Sequence, residues 1–220
     1  MKIAIIGGTG ALGGALAKRL SGAGIETVIG SRDAAKAESF ATEVRSGNSH
    51  AAIKGAGMVE AAGQADICFI TVPYAAQAGT LAAIKPAVQG KIVVDATVPL
   101  RPPKVGTVQL PSAGSAAAEA AAALGEGVRL VSALQNIGAA KLEKAADIDA
   151  DVLVCGDDAE AVEAVRDLLG KIGLRSWHAG PLANSAAAEA MTSVLIQLNR
   201  RYKFADAGFR ITGEVRKPSA

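Results

Sequence analysis

A run of five strand-forming residues, Lys2–Ile6, passes directly into Gly7-Gly8-Thr9-Gly10-Ala11-Leu12-Gly13, and helical text begins at once. No other feature constrains the fold as tightly. A strand, a GxGxxG turn and a helix in immediate succession form the opening of a βαβ unit that holds a dinucleotide. Gly8 permits the tight turn, Gly10 lets a pyrophosphate approach the backbone, and Gly13 lets helix and strand pack closely. The helix start at Ala11 and Leu12 offers unpaired N–H groups and partial positive charge to phosphate. Gly8, Thr9, Gly10, Ala11, Leu12 and Gly13 are therefore assigned to cofactor binding.

Strand and helix signals alternate over the first hundred residues, as in a doubly wound sheet. Strands are expected at Glu26–Gly30, Ala51–Lys54, Asp66–Val72 and Lys91–Ala96, and helices at Ala11–Ala23, Ala34–Arg45, Met58–Gly63 and Ala75–Ile84. Five parallel strands are thus expected by Ala96. A proline-rich connection spans Val98–Pro111, an alanine helix follows at Ala116–Leu124, and further strands are expected at Arg129–Ala133, Asp151–Cys155 and Arg175–His178. A helix over Asp157–Ile172 separates the last two. The final helix, Ser185–Tyr202, carries Met191, Val194, Leu195 and Leu198 at a spacing that predicts a buried face. The expected architecture is α/β: a Rossmann-type doubly wound parallel sheet in residues 1–150 with a small C-terminal α/β extension in residues 151–220 that closes the substrate cleft.

Half of the residues are hydrophobic but only 3% are aromatic, and the formal charge is +2. Small aliphatic side chains suit helices packed closely on a sheet. Few rings and no basic stripe argue against nucleic acid. No apolar run reaches a membrane span, and the initial one is too short for a secretory signal. Cys68 and Cys155 lack metal or redox spacing and read as buried thiols. A cytoplasmic protein with no metal and no membrane partner is expected.

The end of the second strand discriminates between dinucleotides. An NAD site places an acidic residue there, roughly 20 residues on, to hold the ribose 2′-hydroxyl. Here Gly30-Ser31-Arg32 occupies that place, with Lys36 one helical turn later. A hydroxyl, a guanidinium and an ammonium suit a 2′-phosphate, so NADP(H) is expected on Ser31, Arg32 and Lys36. Asp33 comes one residue late and suits a helix cap. Thr71-Val72-Pro73 ends a parallel strand, where open α/β sheets place ligands, and should face the adenosine-side ribose or the diphosphate. Val98-Pro99 follows the next strand and should approach the nicotinamide.

Acid–base groups are sparse. His50 and His178 read as surface or packing residues, Asp95 as a cap or turn residue, and Tyr74 and Lys141 are the remaining candidate proton donors. No catalytic side chain is assigned. Hydride transfer between two flat carriers needs proximity and orientation more than a protein acid or base.

Five segments together resemble the F420-dependent NADP oxidoreductases: GGTGALG at Gly7–Gly13, GSRDAAK at Gly30–Lys36, VSALQNIGAA at Val131–Ala140, VLVCGDD at Val152–Asp158 and AGPLANS at Ala179–Ser185. The resemblance spans nearly the whole chain, and its last three segments lie outside the generic glycine motif. It implies an NADPH-dependent F420 reductase in which hydride moves between nicotinamide C4 and deazaflavin C5. By the same resemblance Ser31, Arg32 and Lys36 meet the 2′-phosphate, Thr9 and Leu12 the diphosphate, and Ala133 and Ile137 the nicotinamide. Val98 and Pro99 form the wall near the deazaflavin, with Leu134 and Gln135 on the same substrate side. A homodimer is also implied. The family pattern has histidine after Ser-Ala-Leu and a proline shortly beyond; this chain has Gln135 and Gly138. Gln can still hydrogen-bond a carboxamide or ring carbonyl but carries no charge. The departure motivates two alternatives: an NADPH-dependent reductase of another acceptor, such as a flavin, quinone or imine, and an NADP-binding sensor without catalysis.

Overall fold

The computed structural model describes residues 1–144 and 148–213. Strand β1 (Lys2–Ile6) leads into α1 (Ala11–Gly22), followed by β2 (Glu26–Ser31), α2 (Ala34–Gly47), β3 (Ile53–Gly57), α3 (Met58–Gln64), β4 (Ile67–Ile70), α4 (Tyr74–Ile84) and β5 (Ile92–Asp95). Then come α5 (Ala116–Leu124), β6 (Arg129–Ser132), α6 (Ala139–Lys144), β7 (Asp151–Gly156), α7 (Ala159–Lys171), β8 (Arg175–His178) and α8 (Ser185–Tyr202).

The eight strands form one sheet in the order β3-β2-β1-β4-β5-β6-β7-β8. Strands β1 to β6 pair in parallel, so their carboxyl ends share one edge. The order runs outward from β1 to β3 on one side and from β4 onward on the other, and the reversal between β1 and β4 opens a crevice at that edge. The central strands β1, β4 and β5 are buried on both faces, which explains their continuous apolar text, while the edge strands β3 and β8 are partly exposed. One core layer packs α1, α2 and α7 on the sheet through Leu16, Leu20, Phe69 and Val165; the other packs α3, α4 and α5 through Ile6, Ile70, Leu81 and Leu124.

Three departures from the expected elements have physical causes. Strand β3 starts at Ile53, two residues later than expected, because the amides of Ala51 and Ala52 are taken by Asn48 O and Ser21 O and not by the neighbouring strand. Strand β7 runs antiparallel to β6 and meets it at only two positions, Val131↔Gly156 and Ser132↔Cys155. The short helix α6 reverses the chain between them, and the hydrophobic period did not announce it. The buried face of α8 is also a correction: Met191 and Val194 are 40% and 42% exposed, whereas Ser185, Ala188, Glu189, Ser193 and Leu195 are buried. That helix docks through small and polar side chains that hydrogen-bond to neighbouring backbone, so its inward face is not its most apolar one.

Residues 151–213 are continuous with the preceding structure, since β7 joins the same sheet and Val152, Val154 and Val165 belong to the same core layer as Leu16. Cys68 and Cys155 are buried free thiols, and burial pushes them up to about 12 and about 11. Among the described residues, no helix is long and apolar enough to cross a membrane.

Candidate functional site

The turn after β1 takes its shape from Gly7, which holds φ +86° and donates its amide to Gly30 O at 3.0 Å. The left-handed residue is thus Gly7, one position before the glycine to which sequence reasoning gave the tight turn. Gly13 has the packing role expected of it: an added Cβ would lie 2.5 Å from Thr71 Oγ1 and 2.7 Å from Gly7 O. Thr71 is held there by its own hydroxyl, which donates to Ile6 O at 2.9 Å. The result is a flat backbone floor leading to the start of α1, where the N-cap Gly10 supplies no side-chain acceptor. The amides of the first turn are left for an outside acceptor.

Above this floor lies a cleft of ≈ 580 Å³ bordered by Gly7, Thr9, Gly10, Gly30, Ser31, Arg32, Asp33, Lys36, Met58, Thr71, Val72 and Pro73, with Ala75, Ala76, Gly79 and Thr80 of α4. The structure therefore gathers Thr9, Gly10, Ser31, Arg32, Lys36, Thr71, Val72 and Pro73 in one place. Gly8, Ala11, Leu12 and Gly13 build the turn and helix behind that lining. Sequence reasoning missed Met58 and the α4 residues; the signal for α4 was its start immediately after Pro73.

Asp33 accepts the Lys36 amide at 3.1 Å and caps α2, while the Ser31 hydroxyl accepts the Asp33 amide at 3.2 Å. The one carboxylate near the end of β2 is thereby spent on its own helix. Arg32 and Lys36 border the cleft and form no ion pair among the described residues. The site has the charge and donors for a phosphomonoester on a ribose.

The second half of the edge is closed. Asp95, at the end of β5, is fully buried; its carboxylate accepts Thr97 Oγ1 at 2.6 Å, the Thr97 amide at 3.2 Å and Gln77 Nε2 at 2.8 Å. Burial pushes its carboxyl up to about 6 against these bonds. Asp95 thus holds the turn that carries Val98 and Pro99. Its carbonyl accepts Gln135 Nε2 at 3.0 Å, and Gln135 also bonds Ser132 Oγ at 2.8 Å. Because Asp95 O can only accept, the amide nitrogen must face it, which leaves Gln135 Oε1 buried without a partner among the described residues.

Ala133, Leu134, Gln135 and Ile137 are all buried in the stretch after β6, and Leu134 holds φ +76°. None of them, nor Val98 or Pro99, borders the open cleft. Helix α8 covers the stretch: Thr192 donates to Gln135 O at 2.8 Å and Asn136 Nδ2 to Ala188 O at 2.8 Å. The C-terminal tail returns over it as well, with Asp206 beside Gly138, where a Cβ would lie 2.6 Å from Asp206 Oδ1. Also unannounced by sequence is Glu189 of α8, whose carboxylate accepts the amides of Ala116 and Ala117 at 2.7 and 3.1 Å. Burial pushes Glu189 up to about 7.

His50 and His178 are exposed and border no part of the cleft, and the Tyr74 hydroxyl donates to Glu119 at 2.8 Å. Among the described residues no cluster of His, Cys, Asp and Glu could hold a metal ion.

Comparison with known proteins agrees with this geometry. Residues 2–99 match the family model described as NADP oxidoreductase coenzyme F420-dependent. The chain is 43% identical to the F420-dependent NADP reductase of Methanothermobacter thermautotrophicus, covering 96% of this chain and 95% of that protein. It is 39% identical to the enzyme of the same name from Methanocaldococcus jannaschii, over 96% of this chain and 98% of that one. A crystal structure from Arthrobacter sp. FB24, assigned to the same reductases, superposes with a TM-score of 0.81 at 26% identity, covering 97% of this chain and 100% of its own. With this agreement of sequence, sheet order and cleft, the chain belongs to the F420-dependent NADP reductases.

Proposed function

We propose that the protein transfers a hydride between NADP(H) and the deazaflavin coenzyme F420. The observation that carries the cofactor side is the end of β2, where Arg32 and Lys36 face the cleft unpaired while Asp33 is turned into the cap of α2. Ser31, Arg32 and Lys36 hold the 2′-phosphate. The first turn of α1, with Thr9 and Leu12, holds the diphosphate, and Thr71-Val72-Pro73 backs the adenosine-side ribose. The nicotinamide then extends along the carboxyl edge toward Ala133 and Ile137, and the deazaflavin stacks against Val98 and Pro99, with Leu134 and Gln135 behind.

In the direction of F420 reduction, hydride leaves nicotinamide C4 for deazaflavin C5, and a proton from water completes the dihydro form at ring nitrogen; NADP⁺ is the other product. The electrons stay within the two carriers, so the protein supplies positioning, charge complementarity and exclusion of water. The small C-terminal unit expected at residues 151–220, of which 214–220 lie outside the described residues, closes the acceptor side of the cleft. The outward-facing Met191 and Val194 on α8 support a homodimer, and the free buried thiols of Cys68 and Cys155 support a reducing, cytoplasmic location.

The test is anaerobic mixing of the purified protein with NADPH and oxidised F420, followed by deazaflavin absorbance. Rapid bleaching that is much slower with NADH is expected. Tight NADPH binding without bleaching would transfer the assignment to another acceptor chosen by the Gln135–Gly138 stretch. Binding without oxidation by any acceptor would leave a nucleotide sensor.

A further inference from the structure

The irregular connection after β5 is more ordered than its prolines suggest. Leu100 N donates to Val98 O at 2.7 Å, Lys104 N to Arg101 O at 3.1 Å and Thr107 N to Lys104 O at 3.0 Å. The Gln109 side chain closes the bow by donating to Lys104 O at 3.0 Å and to Arg101 O at 3.4 Å. Two cations are displayed on this bow. The Arg101 guanidinium sits over the Tyr74 ring, 5.6 Å from its centroid, and Tyr74 directly follows Pro73 of the cleft wall. A third cation comes from α8: Arg200 Nη1 lies beside Gly106, 3.5 Å from where its Cβ would be.

Arg101, Lys104 and Arg200 form no ion pair among the described residues, and Arg101 and Lys104 are exposed. Glu119, beside the Arg101–Tyr74 stack, is engaged by the Tyr74 hydroxyl. The basic tail residue Arg210 is different, being paired with Asp149 at 2.7 Å. The Arg101 side chain also hydrogen-bonds Tyr74, which with the ring contact fixes the guanidinium in place. A guanidinium carries five N–H donors, so others remain for an oxyanion and little side-chain freedom is lost on binding.

We propose that Arg101, with Lys104 and Arg200, is the binding site for the anionic side chain of the acceptor: phosphodiester and carboxylate groups leading out of the cleft from a ring held at Val98 and Pro99. The inference rests on the reading of F420 as acceptor and adds how its charged end is recognised. Arg101 stands two residues beyond Pro99, on the outer rim of the same loop. The same cations could instead meet the dinucleotide's diphosphate, and the experiment separates the two anions.

Anaerobic steady-state rates would be measured for wild type, Arg101→Ala, Arg101→Lys, and the double variant Arg101→Ala/Lys104→Ala. The acceptors are F420 and its ring-and-ribityl fragment, which lacks the phosphodiester and carboxylates. The expected result is a rise in KM for F420 of roughly fivefold to tenfold in the double variant, partly rescued in Arg101→Lys. The rise should disappear with the uncharged fragment, and the salt dependence of KM for F420 should flatten. Lys171→Ala, on α7, serves as a charge control and should match wild type on both acceptors. An unchanged KM for F420, or an equal rise with the fragment, overturns the proposal. A rise in KM for NADPH in step with that for F420 assigns the cations to the diphosphate and also overturns it. Failure of wild type to reduce either acceptor overturns the functional reading itself and the tail site with it.

Discussion

The two halves of the carboxyl edge are built on opposite plans. From β2 to β4 the edge is open: a glycine floor, an uncapped helix start and two cations without carboxylate partners. From β5 to β6 it is sealed: Asp95, Gln77, Thr97, Ser132 and Gln135 are linked by buried hydrogen bonds that leave only Gln135 Oε1 without a partner among their side chains, and α8 locks the stretch through Thr192 and Asn136. The open half presents the donors and positive charge that suit a dinucleotide, whereas the sealed half fixes the turn that carries Val98 and Pro99, where the second substrate is proposed to sit. Rigidity at the acceptor side is the structural requirement for a reaction that depends on the distance between two ring carbons.

The largest expected effect falls on the sealed half. Asp95→Ala leaves Thr97 and Gln77 without their buried acceptor, at a cost of about 2–5 kcal/mol in stability, read from denaturant or thermal unfolding. NADPH affinity of the folded fraction should stay near wild type, and KM for the acceptor should rise. An equal loss of NADPH affinity would mean that the two halves are one unit. The next effect belongs to the open half: Arg32→Ala should weaken NADPH by ~1–3 kcal/mol with little change in NADH, measured by titration. Equal weakening of both cofactors would remove the 2′-phosphate from this position.

The smallest effect is in pH dependence. Asp95 and Glu189 are raised to about 6 and about 7, above the ordinary carboxyl values they regain on unfolding. Between those ranges the folded protein holds protons that the unfolded chain releases, so this contribution to stability is present at low pH and is lost as pH rises through 6 and 7. The slope is at most about 1.4 kcal/mol per pH unit for each group. Glu189→Gln should flatten the part of the slope that runs from the ordinary carboxyl range up to about 7, whatever constant cost it adds. An unchanged slope would exclude Glu189 as a titrating link between α8 and α5.

The open half was legible in sequence because its determinants are local. Gly7 to Gly13 form turn, floor and helix start within seven consecutive residues, and Ser31, Arg32 and Lys36 lie within one helical turn of a strand end. Even there the left-handed residue was displaced by one, since the motif fixes a spacing and not a dihedral angle. The sealed half depends on long-range pairs. Glu189 meets Ala116 and Ala117 across more than seventy positions, and Gln77 meets Asp95 from a helix whose apolar pattern gives no sign of it. Leu198 and Met191 satisfied the period of a buried stripe, but α8 turns its smaller, hydrogen-bonding residues inward. The resemblance over Val131–Ala140 marked the stretch after β6 for attention without revealing that it is buried under α8.

The two-residue contact between β6 and β7 has a geometric consequence. Because Ser132, the last residue of β6, pairs with Cys155, the earlier residues Asp151–Val154 extend past the carboxyl edge, and β8 runs alongside them. At about 3.3 Å per residue they project roughly 13 Å beyond β6, standing as a jamb at one side of the carboxyl edge. Its far end is pinned by Asp151, which accepts from Arg175 Nε at 2.5 Å, Trp177 Nε1 at 2.9 Å and the Ile211 amide at 2.6 Å. Sliding that pairing by two residues, which preserves which side chains face inward, would move the jamb by roughly 7 Å while leaving the glycine floor untouched. The height of this jamb above the edge is thereby a matter of the β6–β7 register, separate from the glycine turn after β1.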